Sequence, residues 1–286
     1  MIANAEAFYE FIVEREEIRL RKEAGLSPLT VDPILRDYKF TNVRRENDRT
    51  SLAFAKFYRE HVPGSKWDIV LLNCGIARYF GTSEFLLSLG WQEGFDPDFI
   101  IDHAKRRMTA GLRVFTGAYV ITNQGISAPK QEVVVNHFLA PLWKNSERLA
   151  TTVVNRDSWE HFVGELMGLN GFGGTGFMAK EVTLDFIMAT GWKPADFNTW
   201  SPSGPGARRG AARVTGADNL KLYMGNPAAT LKIMQELYAL RDEFWPRKFV
   251  PLRLTDIQFQ LCEFDKYERT RLGQGRPRSR YRGTRQ

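Results

Sequence analysis

The sequence predicts a mainly α-helical protein, one compact unit of two helical lobes, and three observations carry that prediction. Apolar residues recur at helical spacing along most of the chain. Capping residues stand at the ends of several of these stretches, and only two short segments read like strands. No repeat or low-complexity linker interrupts the pattern. Residues 1–266 are therefore expected to form a single helical domain, followed by a basic tail over 267–286.

Taken in order, Phe8, Phe11, Ile12 and Ile18 keep approximate helical spacing, and Gly25 is placed to end that helix. Lys105, Arg106 and Arg107 read as the end of an exposed helix. Thr82 is expected to cap SEFLLSL, with Gly90 at its C-terminal end. RVFTGAYVIT, residues 113–122, reads as a strand, and EVVVNHF reads equally as a strand or a buried helix. Asp157 with Glu160 makes a capping-box pattern ahead of HFVGELMGL, and Thr255 with Gln258 makes another ahead of FQLCEFDKYER. PAATLKIMQELYALRDEF is helical, with Pro246 just beyond it.

Composition narrows the class. The 286 residues hold 40 Lys and Arg against 33 Asp and Glu, a net charge of +7, and 43% are hydrophobic. These values exclude a disordered, collagenous or coiled-coil chain. No stretch approaches the ~20 apolar residues of a membrane helix, so no membrane partner is expected. The N-terminus turns acidic early and lacks the apolar core of a signal peptide. Cys74 and Cys262 are too few for a disulfide framework and point to a reducing, cytoplasmic setting.

The positive charge sits unevenly. Residues 267–286 contain seven Arg and one Glu, which is most of the excess. Such a tail suits a nucleic-acid phosphate backbone; the alternative is a solvated, frayed terminus.

Several chemistries are excluded by missing motifs. There is no GxxxxGK[ST] loop to hold a nucleotide phosphate and no GxSxG elbow. His61, His103, His137 and His161 are scattered without metal-ligand spacing, and two cysteines cannot hold an iron–sulfur cluster. No metal and no cofactor is therefore assigned.

Four segments carry candidate chemistry. In LMGLNGFGGTGFMAKEVTLDF a helix runs into a glycine-rich turn, with Gly171, Gly173, Gly174 and Gly176, before a second helix begins. Such a turn lets backbone N–H groups face a phosphate at a helix N-terminus; a tight helical corner is the plainer reading. Asp196 follows seventeen residues after Ala179, directly before FNTWSPSGPGARRGAARV. There Gly204, Gly206, Arg208 and Arg209 combine a close-approach backbone with guanidinium forks, which suits phosphate or pyrophosphate. Asp196 is a candidate base or a helix cap. LTVDPILRDYKFTNVRRENDRTS concentrates Asn42, Arg44, Arg45, Asp48 and Arg49 among aromatics, as a base-reading or phosphate-gripping pocket would. Salt bridges account for such charges equally well. Finally, Cys262, Asp265, Lys266 and Arg269 share one face of the last predicted helix.

The glycine-rich turn resembles the helix–hairpin–helix of DNA glycosylases, with one residue fewer between Gly176 and Ala179. The four segments together resemble the phage DNA-base hypermodification family, over nearly the whole chain. That family includes the α-glutamyl and putrescinyl thymine pyrophosphorylases, or amino-acid:DNA transferases, and the helical domain of 5-hydroxymethyluracil DNA kinases. In this chain Leu29 stands where the family pattern has an aromatic. The resemblance implies a two-lobed, glycosylase-like helical fold. It also implies a transferase that flips a phosphorylated 5-hydroxymethyl-deoxyuridine out of phage DNA in the host cytoplasm. The phosphate or pyrophosphate is then replaced by an amine such as an amino acid. In that reading Asp196 or Asp265 is the base. Asn42, Arg44, Arg45, Asp48, Arg49, Gly204, Gly206, Arg208, Arg209, Lys266 and Arg269 bind substrate phosphate, and Gly171, Gly173, Gly174 and Gly176 grip DNA. The implied partners are modified DNA, the amine and a separate hydroxymethyluracil DNA kinase. A glycosylase-like hydrolase and a non-catalytic DNA-binding partner of that kinase are the alternatives.

Overall fold

The computed structural model describes residues 2–216, 220–277 and 279–281; residues 278 and 282–286 of the expected basic tail lie outside the described residues. Among the described residues the fold is helical throughout, and the single β feature is an isolated antiparallel bridge between Tyr38 and Arg280.

In chain order the helices are α1 (Ala5–Glu23), α2 (Pro33–Asp37), α3 (Arg49–His61), α4 (Trp67–Phe80), α5 (Ser83–Leu89) and α6 (Pro97–Thr109). They continue with α7 (Lys130–Val133), a π-helical turn (Val134–Leu139), α8 (Ala140–Arg156), α9 (Trp159–Met167) and α10 (Phe177–Thr190). The last are α11 (Pro205–Thr215), α12 (Leu220–Gly225), α13 (Pro227–Phe244) and α14 (Leu254–Arg271). The chain forms two compact units. Residues 1–48 and 197–286 build the first, and residues 49–196 build the second.

The first unit packs α1, α11, α13 and α14 around Phe8, Ile12, Ala211, Leu237, Leu261 and Phe264. Phe8 meets Phe264 edge-on at 5.6 Å, which joins α1 to α14. The second unit is built on α4, whose residues from Val70 to Phe80 are all buried. A helix that is apolar on every side belongs in a core, and the other helices wrap it. Gly81 ends α4 in the left-handed region, at φ +69°.

Most expected boundaries hold. Gly25, at φ +67°, follows α1; Thr82 accepts a hydrogen bond from the Phe85 amide (3.3 Å) at the start of α5; and α13 covers the predicted span up to Pro246. EVVVNHF is helical. Three expectations differ from the structure. Residues 113–122 form no strand: an all-helical unit offers no sheet edge to pair with. Val114 and Ile121 bury instead, while Thr116 and Tyr119 bond backbone carbonyls near the end of α4. Ser158, rather than Asp157, caps α9, because Asp157 ends α8 in the left-handed region. At the start of α14, Arg253 is the N-cap and Asp256 accepts from its backbone amide (2.9 Å), upstream of the expected Thr255 and Gln258. No helix among the described residues is long and apolar enough to cross a membrane.

Candidate functional site

In the first unit the closest helix contact is where α11 crosses α14. A Cβ added at Gly210 would lie 2.1 Å from the Leu261 carbonyl oxygen, and one at Gly206 would lie 3.0 Å from Cys262 Sγ. The glycines of GPGARRG thus let two helices touch. Gly206, expected to admit a phosphate to the backbone, is packed against Cys262 instead.

This contact brings arginines from both helices onto one carboxylate. Asp265 is buried, and its Oδ1 lies 2.8 Å from Arg213 Nε. Its Oδ2 lies 2.8 Å from Arg209 Nε and 3.3 Å from Arg269 Nε. Both oxygens are thereby committed to guanidinium groups, a geometry that positions arginines rather than one that receives a substrate proton. Arg213 was missed in the sequence. Its signal is the i, i+4 spacing from Arg209, which matches that of Asp265 and Arg269 on the facing helix. Lys266 points elsewhere, with Nζ 2.7 Å from Glu263 and 5.4 Å from the Phe40 ring centroid.

Just upstream, Gly204 precedes α11 without a capping side chain, and Pro205 occupies the first turn. Arg208 donates from Nε to the Ser203 carbonyl (3.0 Å) and from Nη1 to the Met224 carbonyl (2.9 Å), stitching this loop to α12. Ser201 is buried, and its hydroxyl has no hydrogen-bond partner among the described residues.

The polar residues at 42–48 chiefly hold one another. Asn42 donates to the Asn47 carbonyl (2.8 Å) and its amide reaches Asp48 (2.9 Å), while Arg45 lies 3.0 Å from Asp48 and over the Phe259 ring. Arg44 and Arg253 share Glu46. Gln260 and the buried Arg15 bond the carbonyls of Val43 and Thr41. Burial pushes the Asp48 carboxyl above its ordinary value, opposed by the Arg45 guanidinium and the Asn42 amide. The expected pocket residues Asn42, Arg44, Arg45 and Asp48 therefore scaffold a rigid loop.

The tail is partly tied down. Arg269 and Arg271 lie inside α14, and Arg271 pairs with Glu268. Further on, Ser279 and Tyr281 bond the backbone of Lys39 and Asp37, and the Arg280 guanidinium stacks on Tyr38 and donates to its hydroxyl (2.9 Å). Over these residues the tail is bonded to residues 37–39 rather than frayed.

In the second unit, α9 and α10 enclose the glycine-rich turn. Gly171, Gly174 and Gly176 have φ of +90°, +69° and +72°, conformations only glycine adopts cheaply. Gly171 packs beneath Phe138 and Tyr79, whereas Gly173, Gly174 and Thr175 form an exposed apex. Gly176 precedes α10 without a capping side chain. The N–H groups of Gly173, Gly174 and Thr175, with those of the first turn of α10, have no backbone acceptor among the described residues. At 173–175, where the residues are exposed, they make a row of open donors just ahead of a helix N-terminus.

Asp196 caps α9 from a distance. It accepts from Ser158 Oγ (2.6 Å) and from the backbone amides of Trp159 (2.8 Å) and Glu160 (3.0 Å). Of its two expected roles the cap is the one these contacts describe. Asp196→Ala is expected to cost about 1–2 kcal/mol, read as a lowered denaturant midpoint at unchanged slope; an unshifted midpoint would contradict the cap. Arg49 is exposed at the first position of α3.

Under the turn lies a buried polar network that the sequence reading missed. Arg78 on α4 bonds both oxygens of Asp185 on α10, Nε to Oδ2 at 2.7 Å and Nη2 to Oδ1 at 2.5 Å. Its Nη1 lies 3.4 Å from Glu181, which in turn lies 3.3 Å from Lys180. Tyr58 also donates to Asp185 (3.1 Å). Burial, then the Asp185 charge, pushes the Tyr58 hydroxyl and the Cys74 thiol far up, so both stay protonated. The available signal was three charged residues on α10 amid apolar ones.

No solved structure matches the chain. It is 28% identical over 223 residues to the 5-hmdU DNA kinase of Bacillus phage SP10, an alignment covering 71% of this chain and 35% of that protein. The chain thus spans about a third of the length of this relative. The family model of the 5-hmdU DNA kinase helical domain matches residues 3–276, nearly the whole chain, and the protein belongs to that family.

Proposed function

We propose that the chain is a DNA-contacting module of a 5-hydroxymethyluracil modification system, working beside a separate kinase. The observation that carries this reading is the exposed apex at 173–175, whose open backbone donors run into the uncapped N-terminus of α10. Such donors take a phosphodiester oxygen without selecting a base, as a helix–hairpin–helix does. The kinase activity named for the phage relative supports the choice of DNA and of modified base. These 286 residues hold no GxxxxGK[ST] loop, which favours a phosphate donor bound outside them.

The exposed Thr175 gives a test that spares the fold. Thr175→Glu sets a carboxylate among the donors and is expected to weaken binding to a hydroxymethyluracil oligonucleotide roughly tenfold and to flatten its salt dependence. Thr175→Arg is expected to strengthen binding. Fluorescence anisotropy across a salt series measures both; equal affinities for the two variants and the parent would sink the reading.

A second reading, an amine or amino-acid transferase that displaces the base phosphate, is favoured by one observation. The first turn of α11 is uncapped, and the Ser201 hydroxyl nearby in sequence is buried without a partner among the described residues; such donors suit a departing phosphate. In that reading Asp196 and Asp265 position other groups and the base lies elsewhere. Mass spectrometry of nucleosides from phosphorylated hydroxymethyluracil DNA incubated with the protein and mixed amino acids distinguishes the two. An amino-acid adduct supports the transferase, and an unchanged nucleoside mass leaves the binding module.

A further inference from the structure

We propose that Arg209, Arg213 and Arg269 form a subsite for a dianionic phosphate monoester, with Asp265 as the residue that positions them. The geometry of the arginine contacts is the basis. All three meet Asp265 through Nε, the inner edge of the guanidinium plane. Among the described residues no Nη group of the three donates a hydrogen bond to the carboxylate. Of these, Arg213 Nη2 donates to Gln274 Oε1 (2.9 Å), and the remaining Nη groups of the three arginines have no hydrogen-bond acceptor among the described residues. The arginine side chains are 37%, 16% and 35% exposed, while Asp265 is 1% exposed. Partly exposed guanidinium groups thus surround a buried anchor.

Charge identifies the ligand class. Three guanidinium groups on one carboxylate leave two net positive charges. A phosphodiester carries one negative charge and would leave the site unbalanced, whereas a monoester at neutral pH carries close to two. A tetrahedral phosphate also offers several oxygens to converging forks, and arginine binds such oxygens in pairs. The anchor matters because a fixed guanidinium loses less freedom on binding than a free one. Arg209 and Arg213, at i and i+4 on α11, and Arg269 on α14 are held at fixed spacing by the helix contact that Gly210 sets.

The site deepens the DNA reading, on which it rests only for the molecule that carries the phosphate. A monoester on a modified base and a free nucleotide monophosphate present the same chemistry, and separate probes distinguish them. Binding is measured by anisotropy on an oligonucleotide containing 5-phosphomethyl-deoxyuridine and on its 5-hydroxymethyl counterpart. Thymidine monophosphate serves as competitor. The parent protein is expected to prefer the phosphorylated oligonucleotide by about tenfold. Arg213→Gln is expected to abolish that preference while changing affinity for the hydroxymethyl oligonucleotide less than twofold. Arg213 is partly exposed, so this change spares the fold. Competition at equal potency by thymidine monophosphate would assign the subsite to a free nucleotide. An equal affinity of the parent for both oligonucleotides, with no displacement by the monophosphate, would overturn the subsite and leave the DNA reading standing. Preference for the phosphate with no salt-dependent binding of the hydroxymethyl oligonucleotide would sink the DNA reading and leave the subsite.

Discussion

Asp185→Ala is expected to be among the most damaging single changes in the second unit, lowering stability by about 3–5 kcal/mol. The reason is what remains, more than what is lost. Arg78 directs Nε and Nη2 at Asp185 from inside the core, and its backbone is already tied to Tyr119. Without Asp185 the guanidinium keeps Glu181, at 3.4 Å, and the face of Phe54, at 5.5 Å, and Glu181 is already shared with Lys180. An arginine cannot shed its charge, so the desolvation cost stays uncompensated. Chemical denaturation followed by far-ultraviolet circular dichroism measures the loss. A double replacement, Arg78→Met with Asp185→Leu, removes both charges and is expected to recover a large part of it. A drop below ~1 kcal/mol for the single variant would mean that water or neighbouring groups satisfy Arg78.

Gly210→Ala is the corresponding change in the first unit. The new Cβ would stand 2.1 Å from the Leu261 oxygen and 2.6 Å from its carbonyl carbon. Both are backbone atoms inside α14, so no side chain can swing aside and the helices must part. The expected cost is about 3 kcal/mol, at the upper end of what overpacking does. The parting would also draw Arg209 and Arg213 away from Asp265, so loss of stability and loss of monoester preference should appear together. Gly206→Ala is the internal comparison. Its nearest neighbour is a side-chain sulfur at 3.0 Å, which can give, and a smaller loss is expected. Equal stability of the two variants, by thermal melting, would contradict the backbone clash.

The two changes show where sequence reading succeeded and where it stopped. Helix boundaries were legible because their signals are local: Thr82 bonds an amide three residues away, and Gly25 and Gly90 end helices by their own backbone freedom. The capping boxes missed by one or two positions because Asp157 and Ser158, or Arg253 and Thr255, compete for one helix start, and packing decides between them. The apparent strand at 113–122 failed because alternation shows which side chains bury, and pairing needs a second strand that the described residues do not provide. Polar residues were the least legible. Asn42, Arg44, Arg45 and Asp48 look the same in sequence whether they bind a ligand or one another.

By itself the sequence determined the helical class, most helix limits, the glycine-rich turn and the family resemblance that the comparison bore out. Each of these rests on residue identity over a few neighbouring positions or on motif content. Only the tertiary structure decided that Asp196 caps a helix 36 to 38 residues upstream, that Asp265 gathers arginines from two helices, and that Arg78 and Asp185 share a buried bond across 107 residues. Burial and partner choice are set by which surfaces meet after folding, and no local pattern records them.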